Sequence, residues 1–240
     1  MNFTLSNFDN MNWTTKNISI SKLLLLSAIG VVSIMFSKFP VLGKFNIPKW
    51  SILLQPLFLS ILFIFLGFYF LSKSKFPFNF KNYKELLSLT KKGVIASFFT
   101  SVFLGFILFY ITPYFENILP NFLREFNISI ITKLFYGGIN EEIIMRLGLL
   151  SFLYFIFNKF FKNRISWVLA LLFSSLLFAI GHLPILYIEG TPDLNSILFV
   201  VTANLFFGVI FGFLYIKYNL TTSILAHALT HLFHYILILT

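Results

Sequence analysis

Apolar stretches of about twenty residues follow one another along most of the chain, and each is long enough to cross a bilayer as a helix. Of the 240 residues, 58 % are hydrophobic and 11 % are charged, and the mean hydropathy is +0.88. A soluble domain would have about 25 % charged residues. We therefore predict an all-α fold, a polytopic transmembrane helical bundle. About seven segments are expected, at residues 19–37, 51–72, 93–112, 128–157, 165–188, 196–217 and 220–239.

Domain organisation is expected to be simple, because the chain has no internal repeat and no linker between the apolar segments. We predict one integral membrane domain over residues 1–240, with a polar, retained N-terminus. Residues 73–92 contain six lysines and are predicted to be an amphipathic or interfacial connection. The fourth segment is long enough to tilt, or to break at Gly137-Gly138. The chain has no cysteine, which excludes a disulfide, a Cys nucleophile and a thiolate metal site.

The net charge of +10 does not indicate nucleic-acid binding, because the basic residues lie mostly between apolar segments. Twelve Lys and Arg fall in one set of alternate loops and five in the other. The positive-inside rule then predicts a multi-pass protein of the cell membrane with its N-terminus in the cytoplasm and its C-terminus outside.

Charged residues near the middle of the fourth segment are the first functional signal. Each costs roughly 2.5–3.5 kcal/mol at the centre of a membrane helix on insertion scales. Glu142 and Arg146 are four residues apart and can pair. Glu141 is rotated away from that pair by about 100°. An unpaired buried carboxylate of this kind has the properties of a general base that activates water. The alternatives are a structural ion cluster and an ion pathway.

Three histidines lie at similar depth in other apolar segments. A histidine within the lipid needs a polar partner, and Glu141 is the obvious candidate, so His182 is expected to contact Glu141. His227, His231 and His234 are spaced as i, i+4 and i+7 and form one stripe along the last helix. His227 and His231 could hold a metal ion or donate hydrogen bonds to an oxyanion. His234, nearer the outer surface, is interpreted as a helix-to-helix hydrogen-bonding residue.

The motifs of other known intramembrane proteases are not found in this sequence. The chain has no His-Glu-x-x-His motif of the zincin type and no Gly-x-Ser-Gly motif before a histidine helix. Asp9 and Asp193 are the only aspartates, and both lie in polar flanks. Aspartyl, rhomboid-like and zincin mechanisms are therefore not expected.

Three motifs in this order resemble the CPBP family. They are Glu-Glu-x-x-x-Arg at residues 141–146, Phe-x-x-x-His at residues 178–182 and His-x-x-x-His at residues 227–231. The family comprises the CAAX prenyl-protease type II or Abi intramembrane proteases, including bacteriocin-processing and bacteriocin-immunity proteins. The resemblance covers residues 91–240, while residues 1–90 hold N-terminal helices and a basic loop without a signature.

This resemblance implies a helical membrane fold with the active site in an intramembrane cavity, and endopeptidase activity in which a glutamate and a histidine activate water. By position, Glu141 corresponds to the base and His182 to its partner. Arg146 organises the site by pairing with Glu142, and His227 and His231 correspond to the oxyanion donors. Such proteins are also labelled metalloproteases, so a zinc ion held by Glu141, His182, His227 and His231 is an open alternative.

Two departures from the family pattern are visible. The third motif usually ends in Asn or Asp, and here it ends in His231, which can donate the same hydrogen bond but also strengthens the metal-ligand interpretation. Arg is usually followed by Gly, and here Leu147 follows Arg146, with Gly148 one place later.

We therefore predict an intramembrane endopeptidase that acts on a membrane-associated peptide or protein in the lipid bilayer. A non-catalytic bacteriocin self-immunity or binding protein on the same scaffold is the first alternative. An ion or proton transporter that uses Glu141, His182, His227 and His231 as a relay is the second.

Overall fold

A computed structural model describes residues 20–38, 48–74, 83–118, 128–161, 163–187 and 191–240. Over these residues the chain forms seven helices and no strand, which confirms the predicted all-α fold. The N-terminal residues 1–18, predicted to be polar and retained, lie outside the described residues. The helices are α1 (Ile20–Ser33), α2 (Leu54–Lys73), α3 (Tyr83–Ile118), α4 (residues 130–157), α5 (Asn163–Ile180), α6 (Leu194–Lys217) and α7 (Leu220–Leu239).

Four helices of the described chain are long and apolar enough to cross a membrane, at Lys49–Lys73, Thr90–Pro113, Leu194–Lys217 and Leu220–Leu239. Ile20–Phe36 and Arg164–Ile180 are shorter apolar helices. The outward faces of the long helices α2 and α3 carry large apolar side chains: Phe58, Phe99 and Tyr110 are 65 %, 68 % and 75 % exposed. Acyl chains, rather than water, are the solvent that suits such a surface.

The fourth helix, α4, is one unbroken run of four consecutive segments: Ile130–Thr132, Lys133–Glu141, Ile143–Leu150 and Ser151–Phe157. The first and last are α-helical, while the two central segments are π-helical. The alternative of a break at Gly137-Gly138 is therefore wrong. The glycine pair is absorbed by a change of winding, in which the backbone hydrogen bonds run from i to i+5.

Two predicted boundaries need correction. α3 begins at Tyr83, so the second half of the basic stretch 73–92 is helical and is not a separate connection. Lysine is a good helix former, and a helix does not have to end where the hydrocarbon ends. At its other end α3 passes through Pro113 and reaches Ile118, although the apolar part still ends near residue 113.

The fifth helix ends earlier than predicted. α5 stops at Ile180, and a turn at residues 181–182 leads into a short 3₁₀ helix, Leu183–Tyr187. Pro184 explains the stop, because it has no N–H to donate to the Ile180 carbonyl oxygen and its ring would clash with that carbonyl in a continued α-helix. His182 consequently lies in a turn at the end of α5 and not within a continuous helix.

The main hydrophobic core surrounds α4. Ile139, Ile143 and Leu147 of α4 pack with Leu23 of α1 and Ile64 of α2. A second cluster joins α3, α6 and α7, and contains Leu104, Phe207, Phe211, Leu214 and Ala226. The charged residues of the fourth segment thus lie on the most central helix of the bundle.

Close packing of α2 against α4 depends on Gly67. A Cβ atom built on Gly67 would lie 2.5 Å from the Leu147 carbonyl oxygen and 2.7 Å from Leu147 Cγ. Because a backbone atom cannot move aside cheaply, the two helices can approach this closely only with glycine at this position.

We predict that Gly67→Ala lowers the free energy of unfolding by about 1–3 kcal/mol, the usual cost of overpacking. Unfolding of the purified protein in mixed detergent micelles measures this change. Gly137→Ala is the matched control, because a Cβ there would lie no closer than 3.6 Å to any atom other than the neighbouring backbone of its own helix. Equal stability of the two variants would contradict the assigned α2–α4 contact.

Candidate active site

The close approach of α7 to α4 is what forms the site. Gly138 of α4 faces Ala228 of α7, and a Cβ on Gly138 would lie 2.6 Å from Ala228 Cβ. With only small groups between the two backbones, the residue next to Ala228, His227, reaches the acidic residues of α4. The Gly137-Gly138 pair therefore contributes to the site through its lack of side chains.

Glu142 lies at the centre of a buried polar cluster and is fully shielded from solvent. Its Oε2 atom accepts a hydrogen bond from Arg146 Nε at 3.1 Å. Ser223 of α7 donates its hydroxyl hydrogen to the same oxygen. On the other oxygen, Oε1, His227 Nδ1 donates at 2.9 Å. The predicted Glu142–Arg146 pair is confirmed, and two helices contribute to neutralising this carboxylate.

Ser223 was not identified from the sequence. It precedes His227 by four residues, so both side chains lie on the same face of α7. A hydroxyl residue one turn before a functional histidine was the available signal. Serine is common in the interior of membrane helices for packing reasons alone, which is why the signal was not distinctive.

The Arg146 guanidinium is fully buried and only partly hydrogen-bonded. Nη1 and Nη2 have no hydrogen-bond partner within the described parts of the chain. The guanidinium carbon lies 5.3 Å from the centroid of the Phe178 ring, in cation–π range. Phe178 is the first residue of the second motif, so its ring joins that motif to the ion pair of the first.

His227 lies between the two carboxylates of the first motif. Its Nδ1 atom bonds Glu142, and its Nε2 atom is 4.0 Å from Glu141 Oε2. The ring stacks on Phe211 at a centroid distance of 4.5 Å and an interplanar angle of 15°. Its orientation is therefore fixed by a hydrogen bond and by stacking. Since a carboxylate oxygen can only accept, the Nδ1 hydrogen points to Glu142 and Nε2 faces Glu141.

Glu141 has a different environment from Glu142, as the sequence predicts. Its side chain is 23 % exposed, and its ion-pair neighbour among the described residues is His227. The 4.0 Å separation is too long for a direct hydrogen bond. A water molecule about 2.8 Å from each atom fits this separation with an angle near 90° at its oxygen.

His182 does not contact Glu141 directly, which corrects the predicted Glu141–His182 contact. No hydrogen bond or ion pair within 4.0 Å joins these two described residues. The reason is the end of α5, which leaves His182 in a turn. There its Nδ1 donates to the Phe178 carbonyl oxygen at 2.8 Å, and its ring meets the Phe178 ring edge-on at 4.6 Å. This bond leaves Nε2 as the ring nitrogen that does not contact the Phe178 carbonyl oxygen.

His231 follows His227 along α7, with its ring centroid 5.1 Å away. Its Nδ1 is buried without a hydrogen-bond partner among the described residues. Its Nε2 faces Gly137, where a Cβ would lie 3.6 Å from it and 3.9 Å from His227 Nε2. One methyl-sized space therefore separates the Gly137 backbone from the two imidazole edges.

His234 is placed as the sequence predicts. Its Nε2 forms a hydrogen bond with Thr112 Oγ1 of α3 at 2.9 Å, and the residue is buried. The interpretation of His234 as a helix-to-helix contact is confirmed.

A zinc ion is not supported by the geometry of the predicted ligands. Within the described residues, no three His, Asp or Glu side chains are grouped as a metal site. Of the predicted set, His227 and His182 each bond a protein oxygen through Nδ1, which leaves Nε2 as the nitrogen that could bind a metal. His231 turns Nε2 toward Gly137. Because the four residues are not grouped as a metal site in this structure, no step proposed below passes through a metal.

Comparison with known proteins agrees with this geometry. Residues 123–233 match the family model of Rce1-like proteins, the type II CAAX prenyl endopeptidases. The matched segment belongs to the CPBP family. The predicted resemblance is therefore confirmed, and the match includes all six predicted site residues. No curated protein and no solved structure shows significant similarity to the chain.

The match of residues 123–233 to a membrane protease family, together with four long apolar helices among the described residues, supports a membrane protein. The family match begins at residue 123, so α1, α2 and α3 precede it. Those helices nevertheless pack on the matched helices, since Ile64 and Leu23 belong to the core around α4.

We predict that Glu142→Ala destabilises the protein by about 3–5 kcal/mol, because it leaves the Arg146 guanidinium buried without its counter-ion. Glu142→Ala combined with Arg146→Met should recover most of this loss, since the double variant contains no buried unpaired charge. Unfolding of all four members of the double-mutant cycle in detergent measures the coupling. Additive effects of the two substitutions would contradict the pair.

Proposed function

We propose that this protein is an intramembrane endopeptidase that hydrolyses a peptide bond with water activated by Glu141. The observation that carries the proposal is the position of His227 between two unlike carboxylates: Nδ1 is 2.9 Å from Glu142 and Nε2 is 4.0 Å from Glu141. The Glu142 carboxylate accepts hydrogen bonds from Arg146, Ser223 and His227. The Glu141 carboxylate has no such bond among the described residues and lies beside the His227 imidazole.

In the proposed reaction, a water molecule lies between Glu141 Oε2 and His227 Nε2. Glu141 accepts a proton from this water as its oxygen attacks the carbonyl carbon of the scissile bond. The carbonyl oxygen becomes an oxyanion, and a hydrogen bond from the Nε2–H of His231 stabilises it. His227 Nε2, which carries no hydrogen in the assigned tautomer, accepts a hydrogen bond from the water. The proton held by Glu141 then passes to the amide nitrogen as the C–N bond breaks, and the carboxylate is regenerated.

His231 and His182 have distinct proposed roles. His231 faces the space beside Gly137 with Nε2 and can donate there to the oxyanion, as an Asn at this position of the family pattern would. His182 keeps its predicted role as the histidine partner of the base, with its Nδ1 hydrogen committed to the Phe178 carbonyl oxygen. Its ring lies edge-on to Phe178, whose ring is also in cation–π range of Arg146.

The family name indicates the substrate class to test first. Type II CAAX prenyl endopeptidases take their name from the C-terminal CAAX motif, which is prenylated. An apolar prenyl group would partition into the same bilayer as the protein. We propose a membrane-associated peptide or protein as substrate. A farnesylated peptide ending in Cys-aliphatic-aliphatic-X and its unprenylated counterpart are the two probes.

We predict that Glu141→Gln reduces cleavage by about 10²–10⁴-fold, because the amide cannot accept the proton of water. Purified protein in liposomes is incubated with the two probes, and the fragments are identified by mass spectrometry. Asp193→Asn is the matched control. Asp193 caps the start of α6 through Ser196, and asparagine caps a helix equally well.

Unchanged cleavage by the Glu141→Gln variant would reject Glu141 as the base. If the wild-type protein cleaves neither probe but confers resistance to a peptide toxin that persists in Glu141→Gln, the non-catalytic immunity function replaces the protease. Ion flux into the same liposomes that depends on Glu141, without cleavage, would support the transporter.

We predict that chelators leave cleavage unchanged, because no three His, Asp or Glu side chains of the described residues are grouped as a metal site. The assay is repeated after dialysis against EDTA and against 1,10-phenanthroline, and the protein is analysed for bound metals. Loss of activity that returns on adding zinc, together with zinc at one equivalent per chain, would contradict the prediction and restore the ligand set.

A further inference from the structure

A second polar anchor holds α4 on the side away from His227. Asn140, the residue before Glu141, is fully buried. Its Nδ2 atom donates to Ser60 Oγ of α2 at 2.8 Å and to Ser27 Oγ of α1 at 2.9 Å. It also lies 3.1 Å from the Ser27 carbonyl oxygen. One carboxamide thus ties α4 to two other helices.

The surroundings of this amide leave it little freedom. A Cβ on Gly30 of α1 would overlap Asn140 Oδ1, and it would lie 2.9 Å from the Phe135 carbonyl oxygen. The α1 backbone therefore lies directly against the Asn140 side chain. Oδ1 has no hydrogen-bond partner among the described residues, so the donor side of the amide alone determines its orientation.

The winding of α4 places this anchor opposite the other one. A π-helix has roughly 4.4 residues per turn, so each residue turns the chain by about 80°. Asn140 and Glu142 are two residues apart and therefore point in directions about 160° apart. Asn140 is held by α1 and α2, while Glu142 is held by His227 and Ser223 of α7. Two anchors on opposite sides prevent α4 from rotating about its axis.

Glu141 lies between these anchors in the sequence and around the helix. Its own side chain has no direct hydrogen bond among those described, and its nearest ion-pair neighbour is 4.0 Å away. The direction of its Cα–Cβ bond is determined by the rotation of the backbone that carries it. Holding Asn140 on one side and Glu142 on the other therefore fixes the direction in which the Glu141 side chain leaves the helix.

The end of α1 and the residues just after it make a second contact, near the start of α4. Ser37 Oγ donates to Thr132 Oγ1 at 2.7 Å, and Thr132 Oγ1 donates to the Ser33 carbonyl oxygen at 2.7 Å. The attachment of α1 therefore extends along α4 from Thr132 to Asn140. Neither α1 nor α2 lies within the family match, so this attachment is a property of this chain's own N-terminal helices.

We propose that Asn140 is a positioning residue that, through Ser27 and Ser60, sets the direction in which Glu141 points. The proposal rests on the proposed function for its kinetic consequence and on the structure alone for its geometry. A purely structural role would alter stability and leave the direction of Glu141 in the folded protein unchanged.

The kinetic test compares Asn140→Ala with Asn204→Ala. Asn204 is the matched control, because its carboxamide donates within its own helix, to the Val200 carbonyl oxygen at 2.9 Å. Asn140→Ala is expected to lower kcat on the order of 10–100-fold with little change in KM, since misplacement of a base affects the chemical step. Asn204→Ala should change neither constant.

A second measurement does not require any activity. The chain has no cysteine, so Glu141→Cys introduces a single thiol whose rate of reaction with a small methanethiosulfonate reagent reports its direction. We expect this rate to change several-fold when Asn140→Ala is added and to stay constant when Asn204→Ala is added. Ser60→Ala, which keeps the amide and removes one acceptor, should shift the rate in the same direction by a smaller amount.

The outcomes separate the two proposals. A changed labelling rate in a protein whose wild type cleaves no probe rejects the protease and keeps the positioning role. Unchanged labelling together with an unchanged kcat in Asn140→Ala overturns the positioning role, whatever the protein cleaves. If Asn140→Ala fails to fold, as judged by trypsin sensitivity in liposomes, Ser60→Ala decides by the same criteria.

Discussion

A carboxylate that is fully buried in a membrane protein has to obtain all its stabilisation from protein groups, because the surrounding hydrocarbon offers neither charge nor hydrogen bonds. Glu142 meets this requirement with Arg146 from its own helix and with Ser223 and His227 from α7. The pairing of α4 with α7 is a consequence. Moving either helix would leave the carboxylate or the guanidinium without its partner, so this cluster determines where the remaining polar residues lie.

The position of Glu141 follows from that cluster. Because Glu142 uses its oxygens for structural contacts, its neighbour in the chain is left facing the second nitrogen of the same imidazole. Two adjacent glutamates thus acquire different properties from one histidine. This arrangement gives a physical reason for a Glu-Glu pair in this site: Glu142 bonds the histidine, and Glu141 has no direct hydrogen bond among the described residues.

The rest of the bundle supports α4 from the opposite side. Small residues let α1 and α2 approach closely, with Gly30 against Asn140 and Gly67 against Leu147. Interhelical hydrogen bonds in a membrane are each worth about 0.6–2 kcal/mol, so the contacts of Asn140 with Ser27 and Ser60 are comparable in strength to ordinary packing contacts. Their importance lies in direction, since they hold one face of the helix whose other face carries the site.

Apolar length and i, i+4 spacing act within single helices, so they were enough to predict the all-α membrane fold and the Glu142–Arg146 pair. The three motifs were enough to predict the resemblance to the CPBP family, and the helix-to-helix contact of His234 was predicted from its position. The imidazole beside Glu141 was not predictable, because it depends on how the helices meet in three dimensions. α5 ends at Ile180, before His182, and the Gly138–Ala228 contact brings in His227 instead. The roles of Ser223 and Asn140 were likewise invisible in the sequence, because a buried serine or asparagine becomes informative only when its partner on another helix is known. Hydrophobic periodicity carries no information on such contacts between helices, nor on the π-helical winding that directs the side chains of α4.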